Sequence, residues 1–256
     1  MTDDVVRISD DDRVRLITLH RPDVLNAFND ALYDGVRDAL GGAAERSDIA
    51  VAVVTGAGRA FSAGQDLSPD AHAPHDGRPH GFGPFMDAVD SFPKPLIAAV
   101  NGLGVGIGLT FLLHCDVVLI ASDARLRAPF VSLGLTGEAS STYLLPERIG
   151  HQRAAELLYT ARWVQAQEVV DIGLALRTCE PGETLDDAMS LAREIAAMPV
   201  PSLVETKRLL LAAHHAEVRA ARERENLAFG SLGGGPANRE AVAAFREKRE
   251  PDFSGL

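Results

Sequence analysis

The run from Leu96 to Leu113 constrains the fold of this chain more than any other stretch. It holds eighteen residues without a charge and four glycines at alternate positions, 102, 104, 106 and 108. That length approaches a membrane-spanning helix. Asn101 and the glycines argue against one, as do Lys94, His114 and Asp116 at its borders. The run reads instead as a buried strand, a glycine-dense turn and a helix. Other runs fit beside it. Val14 to Leu19 is β-rich and breaks at Arg21-Pro22, Ile49 to Val54 is β-branched and ends at Gly56, and Asp116 to Ile120 is a further strand. Leu25 to Leu40 has apolar residues at helical spacing, with Gly41-Gly42 as its expected stop. Strands separated by helices predict an α/β core.

Ser68 to Gly83 is rich in Gly, Pro, Asp and His, without periodicity, and reads as a mobile loop of the kind that covers a site. From about Pro146 the chain is expected to be nearly all helical, with segments Thr184 to Ala197, Ser202 to Phe229 and Pro236 to Lys248. This divides the chain into a core, 1–195, and an appended helical region, 196–256.

A net charge of −11 disfavours nucleic acid as a partner, because phosphate contacts need clustered Lys and Arg. Two cysteines, Cys115 and Cys179, are too few for a disulfide framework and point to a reducing compartment. The acidic opening from Met1 to Asp12 does not resemble a secretion signal, so the expected location is cytoplasmic, with no membrane partner.

The glycines at 102–108 do not fit a G-x-G-x-x-G fingerprint, and no Gly-Lys-Ser/Thr follows them. Two readings remain. One is close packing; the other is a turn whose early helix N–H groups are unpaired and suit a developing oxyanion. A second glycine turn, Phe61-Ser62-Ala63-Gly64-Gln65-Asp66-Leu67, follows the Ile49 to Val54 strand. An oxyanion hole needs two such donors. The spacing of His72, His75 and His80 is not that of a zinc site, so no metal is expected, and no Gly-x-Ser-x-Gly elbow occurs.

Taken in order, Ile17-Thr18-Leu19-His20-Arg21-Pro22, Asn26-Ala27, the turn Phe61 to Leu67, Pro95 to Asp116 and Leu133-Gly134-Leu135 resemble the crotonase (enoyl-CoA hydratase/isomerase) family, from about residue 5 to residue 250. The resemblance implies a spiral of ββα units with a C-terminal helical oligomerisation region, assembled as a homotrimer or a hexamer of paired trimers. It implies an acyl-CoA thioester substrate and no cofactor beyond the coenzyme A of that substrate. It places oxyanion-hole N–H groups on Gln65 and Ile107, the latter where the family usually has glycine. Coenzyme A and acyl contacts fall on Val24, Ala27, Ala63, Asp66, Leu67, Gly106, Thr110 and Phe130.

The family's hydratases resemble a two-carboxylate machine, yet the matching positions here are Thr110 and Phe130, and neither moves a proton. Glu138 stands where those hydratases carry a glycine-rich turn, just ahead of Ser140-Ser141-Thr142, an expected helix start. Its position resembles that of the single acid of the Δ3-Δ2-enoyl-CoA isomerases. Glu138 would then take a proton from C2 and return it at C4, with burial near Phe130 raising its pKa. Two alternatives stay open. One is a hydratase-like, hydrolase or decarboxylase reaction using an acid such as Asp66 or a residue of the 68–83 loop. The other is a non-catalytic acyl-CoA-binding protein.

Overall fold

The computed structural model describes residues 5–68, 71 and 80–256. The strands are β1 (Val6–Asp11), β2 (Val14–Leu19), β3 (Val51–Gly56), β4 (Ala60–Ser62), β5 (Leu96–Val100), β6 (Leu103–Val105), β7 (Val117–Ala121), β8 (Arg125–Arg127), β9 (Val164–Gln165) and β10 (Arg177–Cys179). The α-helices are α1 (Asp30–Glu45), α2 (Phe82–Ser91), α3 (Ile107–Thr110), α4 (Ser141–Ile149), α5 (His151–Thr160), α6 (Ala166–Asp171), α7 (Thr184–Ala196), α8 (Val200–Ala212), α9 (His215–Leu232) and α10 (Pro236–Glu247).

A ββα unit recurs: β3, β4 and α2, then β5, β6 and α3, then β7, β8 and α4. In each unit the first strand joins a six-stranded sheet, β1-β2-β3-β5-β7-β10, and the second joins a four-stranded sheet, β4-β6-β8-β9. The large sheet is parallel from β2 to β10. This is the α/β spiral of ββα units that the sequence led us to expect.

The central strands β3, β5 and β7 carry no polar side chain but Thr55, because the large sheet is covered on both faces. Ala52, Val54, Leu96, Ala98 and Val100 join a cluster with Phe28, Tyr33, Phe61 and Phe85. Their neighbours Val51, Val53, Ile97 and Ala99 pack with Ala188, Met189 and Ala192 of α7. Among the described residues no helix is long and apolar enough to cross a membrane.

Four expectations need correction. α1 does not stop at Gly41-Gly42 but runs to Glu45, where Lys94 Nζ donates to the carbonyls of Ala43 and Arg46 at 2.6 Å each and so terminates it one turn later. Residues 146–183 are not nearly all helix: β9 and β10 lie there, and β10 completes the large sheet. The long C-terminal helix is broken at Ala213 and His214 into α8 and α9, with no proline or glycine at the break. The loop expected over 68–83 falls mostly outside the described residues, and its end is helical, since α2 starts at Phe82.

α8 is tied to the large sheet by one buried cation. Lys207 Nζ donates to the Lys94 carbonyl at 2.9 Å and to Asp116 Oδ2 at 2.8 Å, and the same oxygen accepts from the Leu96 amide at 2.7 Å. Removing one member of such a group leaves the others unpaired. Lys207→Ala should therefore cost about 2 kcal/mol, read as a lower urea midpoint at unchanged slope.

Candidate active site

Two asparagines brace the turn between β3 and β4. The buried Asn26 accepts from the Arg21 amide at 2.9 Å and donates to the carbonyls of Ala57 and Ala60 at 2.9 and 2.8 Å. Asn101 accepts from the Gly56 amide at 3.1 Å and donates to Gly58 at 2.9 Å. Both therefore hold the β3–β4 turn, which explains their place in the sequence pattern.

The segment after β2 lies alongside the segment after β4. The Ala63 amide donates to Leu25, the Phe28 amide to Gly64 and the Asp66 amide to Phe28, at 2.9, 2.7 and 2.9 Å. Val24, Ala27, Ala63, Asp66 and Leu67 are thereby gathered in one place, with Val24 and Leu67 exposed and Ala27 buried. Asp66 pairs with Arg21 at 2.9 Å. Burial opposes its charge, but the Ser68 contacts and the Arg21 guanidinium outweigh that and hold its pKa below the ordinary value. Asp66 is therefore a tie between two segments rather than a proton donor at neutral pH.

Gln65 and Ile107 each follow a left-handed glycine, Gly64 at φ 93 and Gly106 at φ 53. Those glycines touch: a Cβ built on Gly64 would lie 2.9 Å from the Val105 carbonyl and 3.8 Å from the Gly106 nitrogen. The Phe28–Gln65 bridge uses the Gly64 carbonyl and the Asp66 amide, so the pleat turns the Gln65 amide to the other side of the segment. Ile107 is the first residue of α3, where an amide has no acceptor within its own helix. The structure thus brings together the two turns that carry the expected donors.

Thr110 and Phe130 are both buried, and Thr110 Oγ1 donates back to the Gly106 carbonyl at 3.3 Å. Neither position offers a carboxylate. Glu138 is a buried acid, 8% exposed, whose side chain accepts no hydrogen bond from the described residues. Burial, and after it the charge of Glu225, push its pKa up to about 8. The direction matches the expectation. A buried, unpaired carboxyl of this kind is poised to exchange a proton.

Two neighbours of Glu138 escaped the sequence reading. Tyr33, on α1, is buried with no hydrogen-bond partner for its hydroxyl, and burial, then the charges of Glu138 and Asp30, raise its pKa well above the usual value. Glu225, on α9, is 3% exposed and accepts from the Ser140 amide at 2.6 Å and from the Thr142 amide and hydroxyl at 2.7 Å each. Only its burial distinguishes it within the charge-dense stretch Arg222-Glu223-Arg224-Glu225, so periodicity gave no signal. Among the described residues no group of three or more His, Cys, Asp or Glu side chains is placed to hold a metal.

The chain is similar to known proteins over nearly its whole length. Residues 10–255 match the family model described as enoyl-CoA hydratase/isomerase. A 2,3-dehydroadipyl-CoA hydratase of Escherichia coli strain K12 is 33% identical, covering 97% of this chain and 98% of the relative. A 1,2-epoxyphenylacetyl-CoA isomerase of the same strain is also 33% identical, over 94% of this chain and 95% of its own. The crystal structure of an enoyl-CoA hydratase/isomerase from Pseudoalteromonas atlantica T6c superposes with a TM-score of 0.93 at 35% identity, covering 98% of this chain and 100% of that one. With its recurring ββα units and paired glycine turns, the chain belongs to the enoyl-CoA hydratase/isomerase, or crotonase, family.

Proposed function

We propose that the protein is an acyl-CoA isomerase that shifts a double bond from C3 to C2 of an enoyl thioester, with Glu138 as its single acid/base. The observation that carries this reading is the set of carboxylates at the site. Both positions that would serve a hydratase hold groups that cannot exchange protons, Thr110 and Phe130, while Glu138 is buried and basic.

In this reading the thioester carbonyl lies at the junction of the Gly64 and Gly106 turns, where the Gln65 and Ile107 amides donate to the oxygen that becomes the enolate. Glu138 removes a proton from C2, the double bond moves, and the same carboxyl returns a proton at C4. Coenzyme A runs along Val24, Ala27, Ala63, Asp66 and Leu67, and Gly106, Thr110 and Phe130 border the acyl chain. The exposed Leu209, Leu210, Leu227 and Phe245 on α8 to α10 fit the contact between copies in a trimer.

The first test supplies a 3-enoyl-CoA and, separately, a 2-enoyl-CoA in water, following the conjugated-enoyl absorbance. A rise with the first and little loss with the second is expected; the reverse pattern would sink the proposal. Activity should also depend on pH. Glu138 must be ionised to act as a base, so kcat/KM rises from about pH 6 and levels off only beyond about pH 8. A plateau already reached at about pH 6 would mean that another group takes the proton.

A further inference from the structure

Glu138 opens a stretch of backbone that local preferences do not hold in place. Ala139 and Ser140 are both left-handed, at φ 55 and φ 60, which side chains of this kind disfavour. Ser140 precedes α4 but does not cap it with its side chain; its hydroxyl donates to the Val218 carbonyl on α9 at 2.9 Å. The amides that a local cap would take are instead turned to Glu225, whose two oxygens receive three donors. From the other side His114 Nε2 donates to the Ala139 carbonyl at 2.8 Å. Asp90 of α2 stands behind His114 at 2.9 Å and pairs with Arg222 of α9 at 3.0 Å.

We propose that Glu225 is the positioning residue for Glu138: its carboxylate, delivered by α9, clamps the left-handed pair that sets where the Glu138 side chain stands, and places a negative charge behind it. The inference rests on the acid/base role proposed for Glu138. A serine hydroxyl at 140 would satisfy one amide at most, whereas a carboxylate takes several donors from a single direction and so fixes the loop against α9. Two buried carboxyls near one another also resist joint ionisation, so Glu225 keeps Glu138 basic beyond what burial alone achieves. The groups facing Glu138 are Glu225 from α9 and Tyr33 from α1, with Asp30 beyond Tyr33. Those facing Glu225 are the Ser140 and Thr142 donors and His114, backed by Asp90 and Arg222.

The test is carbon-13 carboxyl NMR of glutamate-labelled protein, titrated as wild type, Glu225→Gln and Glu138→Gln, with steady-state kinetics alongside. Glu225→Gln should move the Glu138 midpoint below its wild-type value near 8. Because Glu225 carries its charge while Glu138 is still protonated, Glu138→Gln should remove the upper midpoint and leave that of Glu225 in place, which assigns the upper midpoint to Glu138 without requiring Glu225→Gln to fold. Turnover of the 3-enoyl-CoA by Glu225→Gln should fall about tenfold in kcat, with KM within about twofold. An unmoved Glu138 midpoint or wild-type kcat in Glu225→Gln, or an upper midpoint that survives in Glu138→Gln, would overturn the clamp. A wild-type protein that leaves the 3-enoyl-CoA untouched would overturn the isomerase reading instead, and the two titrations would still decide the clamp.

Discussion

Replacing Glu138 with Gln is expected to lower kcat for a 3-enoyl-CoA by about three orders of magnitude while KM moves by less than about threefold. The asymmetry follows from what the residue does not touch. The expected oxyanion donors are backbone amides, and the residues proposed to contact coenzyme A belong to the segments after β2 and β4. None of these is altered by an amide at 138. A variant retaining most of the wild-type kcat would remove Glu138 from the mechanism.

The same substitution should stabilise the protein above neutral pH. The folded-state pKa of Glu138, about 8, exceeds the ordinary value of 4.5, so between those limits the native chain keeps a proton that the unfolded chain has released. Folding stability therefore falls as pH rises through that window, by up to about 1.4 kcal/mol per unit. Glutamine has no proton to lose. Thermal melts should show the variant ahead of wild type at about pH 8 and level with it at about pH 4, below the unfolded-state value. Equal melts at both would mean that Glu138 titrates normally.

The second large effect is expected at Gly64. Alanine there must hold a Cβ in a left-handed backbone, 2.9 Å from the Val105 carbonyl, and the approach of the two glycine turns has no slack to absorb it. Either the backbone flips toward a right-handed conformation or the turns separate, and in both cases the amide of Gln65 leaves its place. Loss of one oxyanion donor typically costs about two orders of magnitude in kcat. Gly64→Ala should show that loss with a melting temperature lowered by a few degrees. A variant that is folded and fully active would place the thioester oxygen elsewhere.

Much of this arrangement was legible in the sequence because it is written in long, uniform runs. Leu96–Val100 forms the strand its letters predict, and the paired turns at 61–67 and 102–108 announce themselves by glycine. What escaped is carried by short or distant features. β4, β6, β8, β9 and β10 span two or three residues each, too few for any periodicity to show. α1 outran its glycines because Lys94, far along the chain, satisfies its last carbonyls. The helical stretch over 202–229 divides where His214 Nδ1 meets Tyr143 Oη at 2.8 Å, a contact that no local signal foretells. Glu225 was invisible for the same reason: its three donors lie more than eighty residues upstream.

The doubled-sheet architecture has a bearing on how such a protein changes its chemistry. Gln65, Ile107 and Phe130 all come shortly after a strand of the small sheet: β4, β6 and β8 in turn. They occupy comparable rungs of successive repeats, so on the proposed reading the scaffold faces the ligand three times over. On the proposed reading two rungs offer the thioester only their backbone amides, which a change of side chain such as isoleucine at 107 does not remove. The third presents a side chain and can be rewritten freely. On that reading a change of reaction requires neither a new fold nor a new grip on the thioester, only substitution at the third rung and in the segment after it that carries Glu138.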